Sequence, residues 1–204
     1  MKRLVIIDTE TGGLDSNEHS ILSLGAVVWT DGVLSEPFHM YIREENMVTT
    51  PEAMKVNGIT EADLSHAMSP SFVVTHFEDW LRSVGVYGKQ TLGGHNIAAF
   101  DMGFVRRLYR LAGRKKMPFD YHVLDTMSFA IGLRFAGRLQ VANVKLDTLC
   151  ENFAIKIREP GTRHNAAEDA IATAKLFTRL VDMMTMPTTC MEQQNDPIGE
   201  KENR

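Results

Sequence analysis

The sequence predicts an α/β domain built on a mixed sheet. Three observations carry this: an antiparallel strand meander near the N-terminus, short apolar strands farther on that alternate with amphipathic helices, and a composition of 44% hydrophobic and 24% charged residues, ordinary for a globular domain of 204 residues. Leu4-Val5-Ile6-Ile7 begins the first strand. Residues 21–30 form a second, Asp31-Gly32 a tight turn, and residues 33–42 the returning third strand. Helices follow. Pro51 opens a short one, Thr60-Glu61-Ala62-Asp63 has the Thr-x-x-acid form that starts another, and a longer helix covers residues 71–83. A strand near Thr91-Leu92 leads into Gly93-Gly94-His95-Asn96 and a helix from about Phe100 to Ala112. Residues 122–124 make another brief strand, helical segments lie near Thr126 and Leu146, and the last strong helix runs over about residues 165–184. Residues 1–184 are therefore expected to form one domain. Residues 185–204 contain Pro187, Pro197 and Gly199 among polar side chains, with no period that would bury a face, and are expected to be a flexible tail.

The formal net charge is -4, so nothing global marks a nucleic-acid binder. An enzyme that meets phosphate through bound cations is compatible with that charge, because the metals supply the positive potential. After Lys2 and Arg3 the apolar run is only four residues long before Asp8, too short for a signal peptide core or a membrane span, and a cytoplasmic protein without membrane contact is expected. Cys150 and Cys190 are far apart and expected to be free thiols.

The chemistry begins at Asp8-Thr9-Glu10-Thr11-Gly12, where the first strand ends. Side chains two apart on a strand share a face, so Asp8 and Glu10 are placed to hold one hard cation. Two further acids occupy apolar directions of their helices. At roughly 100° per residue, Phe100, Phe104, Leu108 and Leu111 define an inward stripe, and Asp101 falls within it. In the last helix Ala166, Ala170, Ala174, Phe177, Leu180, Val181 and Met184 define the buried face, and Asp169 projects between Leu176 and Leu180. Glu168 points instead toward Lys175 and Arg179 on the solvated side. An inward carboxylate must be paired, hydrogen-bonded or metal-bound. His164 converges with Asp169 only if it precedes the helix, and Pro160-Gly161-Thr162-Arg163 favours a loop there.

In order, Asp8-x-Glu10-Thr11-Gly12, Gly94-His95-Asn96 with Phe100-Asp101, and His164-Asn165-Ala166-Ala167-Glu168-Asp169-Ala170 resemble the DEDD exonuclease superfamily. His164, five residues before Asp169, where the tyrosine branch carries Tyr at the position of Asn165, resembles the DEDDh branch, and residues 96–104 and 146–174 look especially like its DNA polymerase III proofreading members. The resemblance implies a ribonuclease H-like fold with a five-stranded mixed sheet flanked by helices, and 3′→5′ hydrolysis of DNA from single-stranded or frayed ends with release of 5′-mononucleotides. The alternatives are trimming of RNA ends or short oligonucleotides, and an inactive nucleic-acid-binding module.

A ligand set of oxygens favours Mg²⁺ or Mn²⁺. The resemblance implies two ions per site, with Asp8 bridging them, Glu10 and Asp169 completing one, Asp101 serving the other, and His164 as general base. It also implies Thr11, Gly12 and Leu14 at the terminal nucleotide, with Asn96 and Phe100 shaping the pocket. Leu14 and Phe100 as core residues, and Asn96 as a helix cap, are the competing readings. Asp125 matches a position that supports the fold and is not counted as a ligand. The expected partner is nucleic acid with a free 3′ end, and a DNA polymerase or a second copy of this chain are further candidates. Arg106, Arg107, Arg110, Arg114, Lys115 and Lys116 form a basic cluster suited to a phosphate backbone, a partner subunit or simple solvation.

Overall fold

The computed structural model describes residues 2–158 and 163–185, so the expected tail beyond Thr185 lies outside the described residues. Strand β1 (Arg3–Thr11) runs through the middle of the sheet. Strand β2 (Ile21–Thr30) lies antiparallel to it, with Asp8 opposite Gly25. The expected third strand is broken into β3 (Val33–Leu34), which pairs with Trp29 and Thr30, and β4 (Phe38–Tyr41), which pairs with residues 23–26. Ser35 causes the break. Its N–H donates to the Val28 carbonyl at 2.9 Å and its Oγ accepts from the Val28 N–H at 3.0 Å, and Pro37 then offers no N–H to continue the ladder. Strands β5 (Gln90–Gly94) and β6 (Phe119–Asp125) extend the other side in parallel, giving the order β3-β2-β1-β5-β6 with β4 also on β2, six strands rather than five.

Seven helices flank this sheet among the described residues: α1 (Pro51–Asn57), α2 (Glu61–Ser65), α3 (Pro70–Ser83), α4 (Asp101–Leu111), α5 (Thr126–Phe135), α6 (Leu146–Asn152) and α7 (Ala166–Thr185). Thr60 and Asp63 form the expected reciprocal cap on α2. Strand parity divides the core. Val5 and Ile7 pack with Leu24 and Val28 under α3 and α4, against Val73, Phe77, Phe104 and Leu108. Leu4 and Ile6 pack with Val27 and Trp29 under α7, against Ala170, Ala174 and Phe177. Trp29 meets Phe177 edge-on at 5.1 Å, and its indole N–H donates to Thr178 Oγ1 at 2.9 Å. A further cluster joins α5, α6 and α7 through Leu133, Leu149 and Leu176.

Two expected core positions are exposed. Leu111 and Met184 each lie in the last turn of a helix, beyond its last buried residue (Tyr109 and Leu180). No described helix is long and apolar enough to cross a membrane. Cys150 is buried and free, with burial pushing its thiol up to about 12, so it packs as a small apolar side chain.

Helix α7 begins directly on β2. A Cβ at Gly25 would overlap the carbonyl of Ala166 and the N–H of Ala167, so only glycine lets the helix sit this close to the strand position paired with Asp8. Gly25→Ala is expected to destabilise the chain by about 3 kcal/mol, because both overlapping partners are backbone. Urea unfolding measures this, and an unchanged midpoint would contradict the packing described.

Candidate active site

The face of β1 that carries Leu4 and Ile6 continues into Asp8 and Glu10, so the two carboxylates leave the apolar core on the side covered by α7. Asp169, in the first turn of α7, is buried there. Asp101 comes from the opposite side. It is the first residue of α4, and its Oδ1 accepts the Thr9 N–H at 3.0 Å and the Thr9 hydroxyl at 2.7 Å, reaching the strand between Asp8 and Glu10. The four acids meet beside the C-terminal end of β1, where open α/β sheets bind their ligands.

His164 precedes α7, as its offset from Asp169 requires, and its Nδ1 stands 3.3 Å from Asp169 Oδ2. Both neighbours are pinned. Asn165 Oδ1 accepts the N–H groups of Ala167 at 2.9 Å and Glu168 at 3.3 Å, an N-cap worth about 1 kcal/mol. Arg163 grips Asp63 with two contacts of 2.5 and 2.9 Å, which hold that carboxyl well below its usual range. Glu10, His164 and Asp169 each present a potential ligand atom within 4.8 Å of the others.

Crowding sets the electrostatics. Burial, then the charges of Asp101, Asp169 and Glu10, raise the Asp8 carboxyl well above its ordinary value. Burial, then the charges of Asp169 and Asp101, lift Glu10 to about 8. Asp101 rises to about 7 through burial, opposed by the Thr9 hydrogen bonds, and Asp169 rises through burial, opposed by Arg158 and His164. The Oε1 atom of Glu10 is buried without a hydrogen-bond partner. An unpartnered oxygen among repelling carboxylates fits a hard divalent cation.

Sequence reasoning missed Arg158. Its guanidinium reaches Asp169 Oδ1 at 2.7 Å, Asp147 Oδ1 at 3.2 Å and His164 Nε2 at 3.3 Å. It belongs to no motif, and nothing in its local pattern separates it from a solvated cation. Asp125 supports the fold as expected: its Oδ1 accepts the N–H groups of Asn96 and Met127, each at 3.0 Å.

Beside Glu10 lies a cleft of about 620 Å³ whose walls include Thr11, Leu14, His19, Val56 and Phe100. Leu14 is 86% exposed, so it is not core, while Phe100 is half-buried and meets Phe104 at 5.2 Å with the rings tilted by 51°. The Thr11 hydroxyl donates to the Gly13 carbonyl at 2.8 Å. Gly12 is outside the wall: its N–H donates to the Ser20 carbonyl at 2.7 Å and its carbonyl accepts the Thr50 N–H at 2.6 Å. Asn96 also lies outside the wall, in the left-handed region at φ 63°, and α4 has no side-chain cap. His19 and Asn57 were missed. The Asn57 amide donates to the Thr11 carbonyl at 3.1 Å and so holds the cleft floor, a contact 46 residues apart that no local pattern announces. Arg107 leaves the basic cluster, because it pairs with the buried Glu44 at 2.7 Å and donates to the carbonyls of Ser16 and Asn17. Arg106, Arg110, Lys115 and Lys116 are exposed.

The raised carboxyls fix a pH response. Burial lifts folded Glu10 to about 8 and Asp101 to about 7 from ordinary values of 4.5 and 3.8, so between about pH 4 and 8 the folded chain holds more protons than the unfolded chain. Stability then falls as pH rises. In chelator the melting temperature is expected to drop by several degrees from pH 5 to pH 8, and Mg²⁺ is expected to restore it at the higher pH. A flat profile in chelator would refute the crowding.

Residues 5–177 match the exonuclease family model RNase_T. The ε subunit of DNA polymerase III from Rickettsia prowazekii is 33% identical over 183 residues, covering 87% of this chain and 73% of that protein. The PolC-type DNA polymerase III of Bacillus cereus is 28% identical over 197 residues, covering 96% of this chain but 12% of that protein, so the chain spans only a small part of the PolC relatives it matches. Among solved structures, exonuclease X in complex with 5′-overhanging duplex DNA superposes with a TM-score of 0.62 at 25% identity, covering 93% of this chain and 98% of that one. The nuclease domain of 3′hExo, a DEDDh member bound to rAMP, shares the fold with a TM-score of 0.69 at 19% identity, covering 88% and 92%. With the family model matched from the first strand into the last helix, this chain belongs to the RNase_T exonuclease family.

Proposed function

We propose that the chain removes nucleotides from the 3′ end of DNA, single-stranded or frayed, and releases 5′-mononucleotides. The observation that carries this reading is the convergence of Asp8, Glu10, Asp101, Asp169 and His164 beside a cleft of about 620 Å³, room for a terminal nucleotide rather than a continuous strand. The DNA polymerase III relatives support DNA as substrate and a polymerase as a candidate partner.

Asp8, Glu10, Asp101 and Asp169 would hold two Mg²⁺ or Mn²⁺ ions. Such ions neutralise the carboxylates, lower the pKa of the attacking water and stabilise the leaving oxygen. The chain's own residues supply the rest. His164 takes the proton of the attacking water, whose oxygen bonds to phosphorus as the bond to the 3′ oxygen of the penultimate nucleotide breaks, and that oxygen takes a proton from solvent to leave as the new 3′ hydroxyl. Asp169 orients the imidazole through its contact with Nδ1. Thr11 contacts the terminal sugar, exposed Leu14 wedges against the terminal bases, and Phe100 closes the cleft. Gly12 contributes by letting the 48–50 segment lie against the turn, since a Cβ there would collide with the Val48 carbonyl. Asn96 sets the turn that delivers Asp101, its carbonyl accepting the Phe100 N–H at 3.1 Å.

A 5′-labelled single strand, the matched duplex and the matched RNA are incubated with Mg²⁺ or with chelator. The expected result is a ladder of shortening DNA products with Mg²⁺ alone, slower on RNA. A labelled mononucleotide as first product would reverse the polarity, and chelator-resistant activity would remove the metal mechanism. Asp8→Ala should lower turnover about a thousandfold or more. For His164→Ala a fall of about 10²–10⁴-fold is expected with Mn²⁺ affinity within about threefold of the parent. Collapse of metal affinity instead would make His164 a ligand.

A further inference from the structure

Arg158 is not accounted for by this reading. It is only 15% exposed, and its guanidinium lies against both groups that the proposed chemistry needs free. Nη1 occupies Asp169 Oδ1 at 2.7 Å, an oxygen that a metal ligand must offer. Nη2 faces His164 Nε2 at 3.3 Å, and guanidinium only donates, so that nitrogen presents its lone pair to Arg158. The other imidazole nitrogen then donates to Asp169 Oδ2, at 3.3 Å, which leaves His164 with no lone pair for a water proton. Arg158 therefore covers a ligand atom and the base at once.

Among the described residues its anchorage outside the cage is weak. Asp147, the third partner at 3.2 Å, is 68% exposed, and such pairs contribute little in water. What holds Arg158 in place is its short contact with the buried carboxylate of Asp169. That attraction disappears when another cation neutralises the same carboxylate, and like charges at Asp169 repel.

We propose that Arg158 competes with a divalent cation for Asp169, and that its displacement uncovers the lone pair of His164 Nε2. The inference rests on the metal-dependent reading above and adds a coupling to it: metal occupancy and base readiness are set by one side chain. Arg158 is thus a positioning residue with an opposing role, stabilising the carboxylates in the absence of cation and lowering the apparent affinity for it.

The test is calorimetric titration of the full chain with Mn²⁺. Arg158→Ala is expected to bind Mn²⁺ about tenfold more tightly than the parent, and to melt at lower temperature in chelator. Should the alanine chain fail to fold, Arg158→Lys serves, because a compact ammonium lacks the planar fork whose two nitrogens span Asp169, Asp147 and His164, and a gain of about threefold is expected. Magnetic resonance of ¹⁵N-labelled imidazole gives a second readout, the Nε2 signal of His164 moving on Mg²⁺ addition in the parent and standing at the displaced position beforehand in Arg158→Ala. Unchanged or weaker Mn²⁺ affinity in both variants, with the parent binding normally, overturns the competition and leaves the metal site standing. If the parent binds no Mn²⁺, or Asp8→Ala binds it equally well, the metal reading falls and the competition with it.

Discussion

The constraint on which the rest of this molecule depends is the repulsion among four carboxylates gathered at the end of one strand. Asp8, Glu10, Asp101 and Asp169 are drawn out of water, which favours the acid form of each, and the charges of neighbouring cage acids add to this at Asp8 and Glu10. A fold left to maximise stability would disperse them. Here two layers of core press them together, the Leu4 and Ile6 face under α7 and the Val5 and Ile7 face under α4, so that hydrophobic packing offsets the electrostatic cost.

Several local devices serve that compression. Gly25 presents no side chain to keep α7 off β2, and so lets Asp169 approach Asp8. Thr9, facing away from the two strand carboxylates, spends its N–H and hydroxyl on Asp101 and brings the acid of α4 to the strand. Asn165 and the Arg163–Asp63 pair anchor the backbone on either side of His164, the proposed base. Arg158 completes the charge balance from within the chain.

The cleft is built by different means. Its floor is the turn after Glu10, held by the Asn57 amide on the Thr11 carbonyl and by the backbone bonds of Gly12. The segment that carries Leu14 is tied to α4 through Arg107, whose charge is balanced by the buried Glu44, so the helix that delivers Asp101 also braces the substrate side. Three of the four acids, Asp8, Glu10 and Asp101, and the cleft residues Thr11 and Phe100 thereby lie on or beside the same two elements, β1 and α4.

Much of this was legible in the sequence, and the limits have physical reasons. The strand alternation at Leu4 to Glu10 and the helical directions of Asp101 and Asp169 depend on local backbone geometry alone, so the α/β class, the facing of the acids and the placement of His164 ahead of its helix could be read from residue order. The break at Ser35 could not, because it depends on a hydrogen bond to Val28 across the sheet. Nor could the roles of Arg107 and Arg158, which look like surface cations in the sequence and acquire their partners from Glu44 and Asp169 only when distant elements pack. Leu14 was open between core and surface until the cleft existed to leave it exposed. The sequence by itself determined which acids would face inward, since periodicity is a property of the chain. Only the tertiary structure decided which charges would oppose them and what they would adjoin, since a charge's partner is set by distance in space and not by distance along the chain.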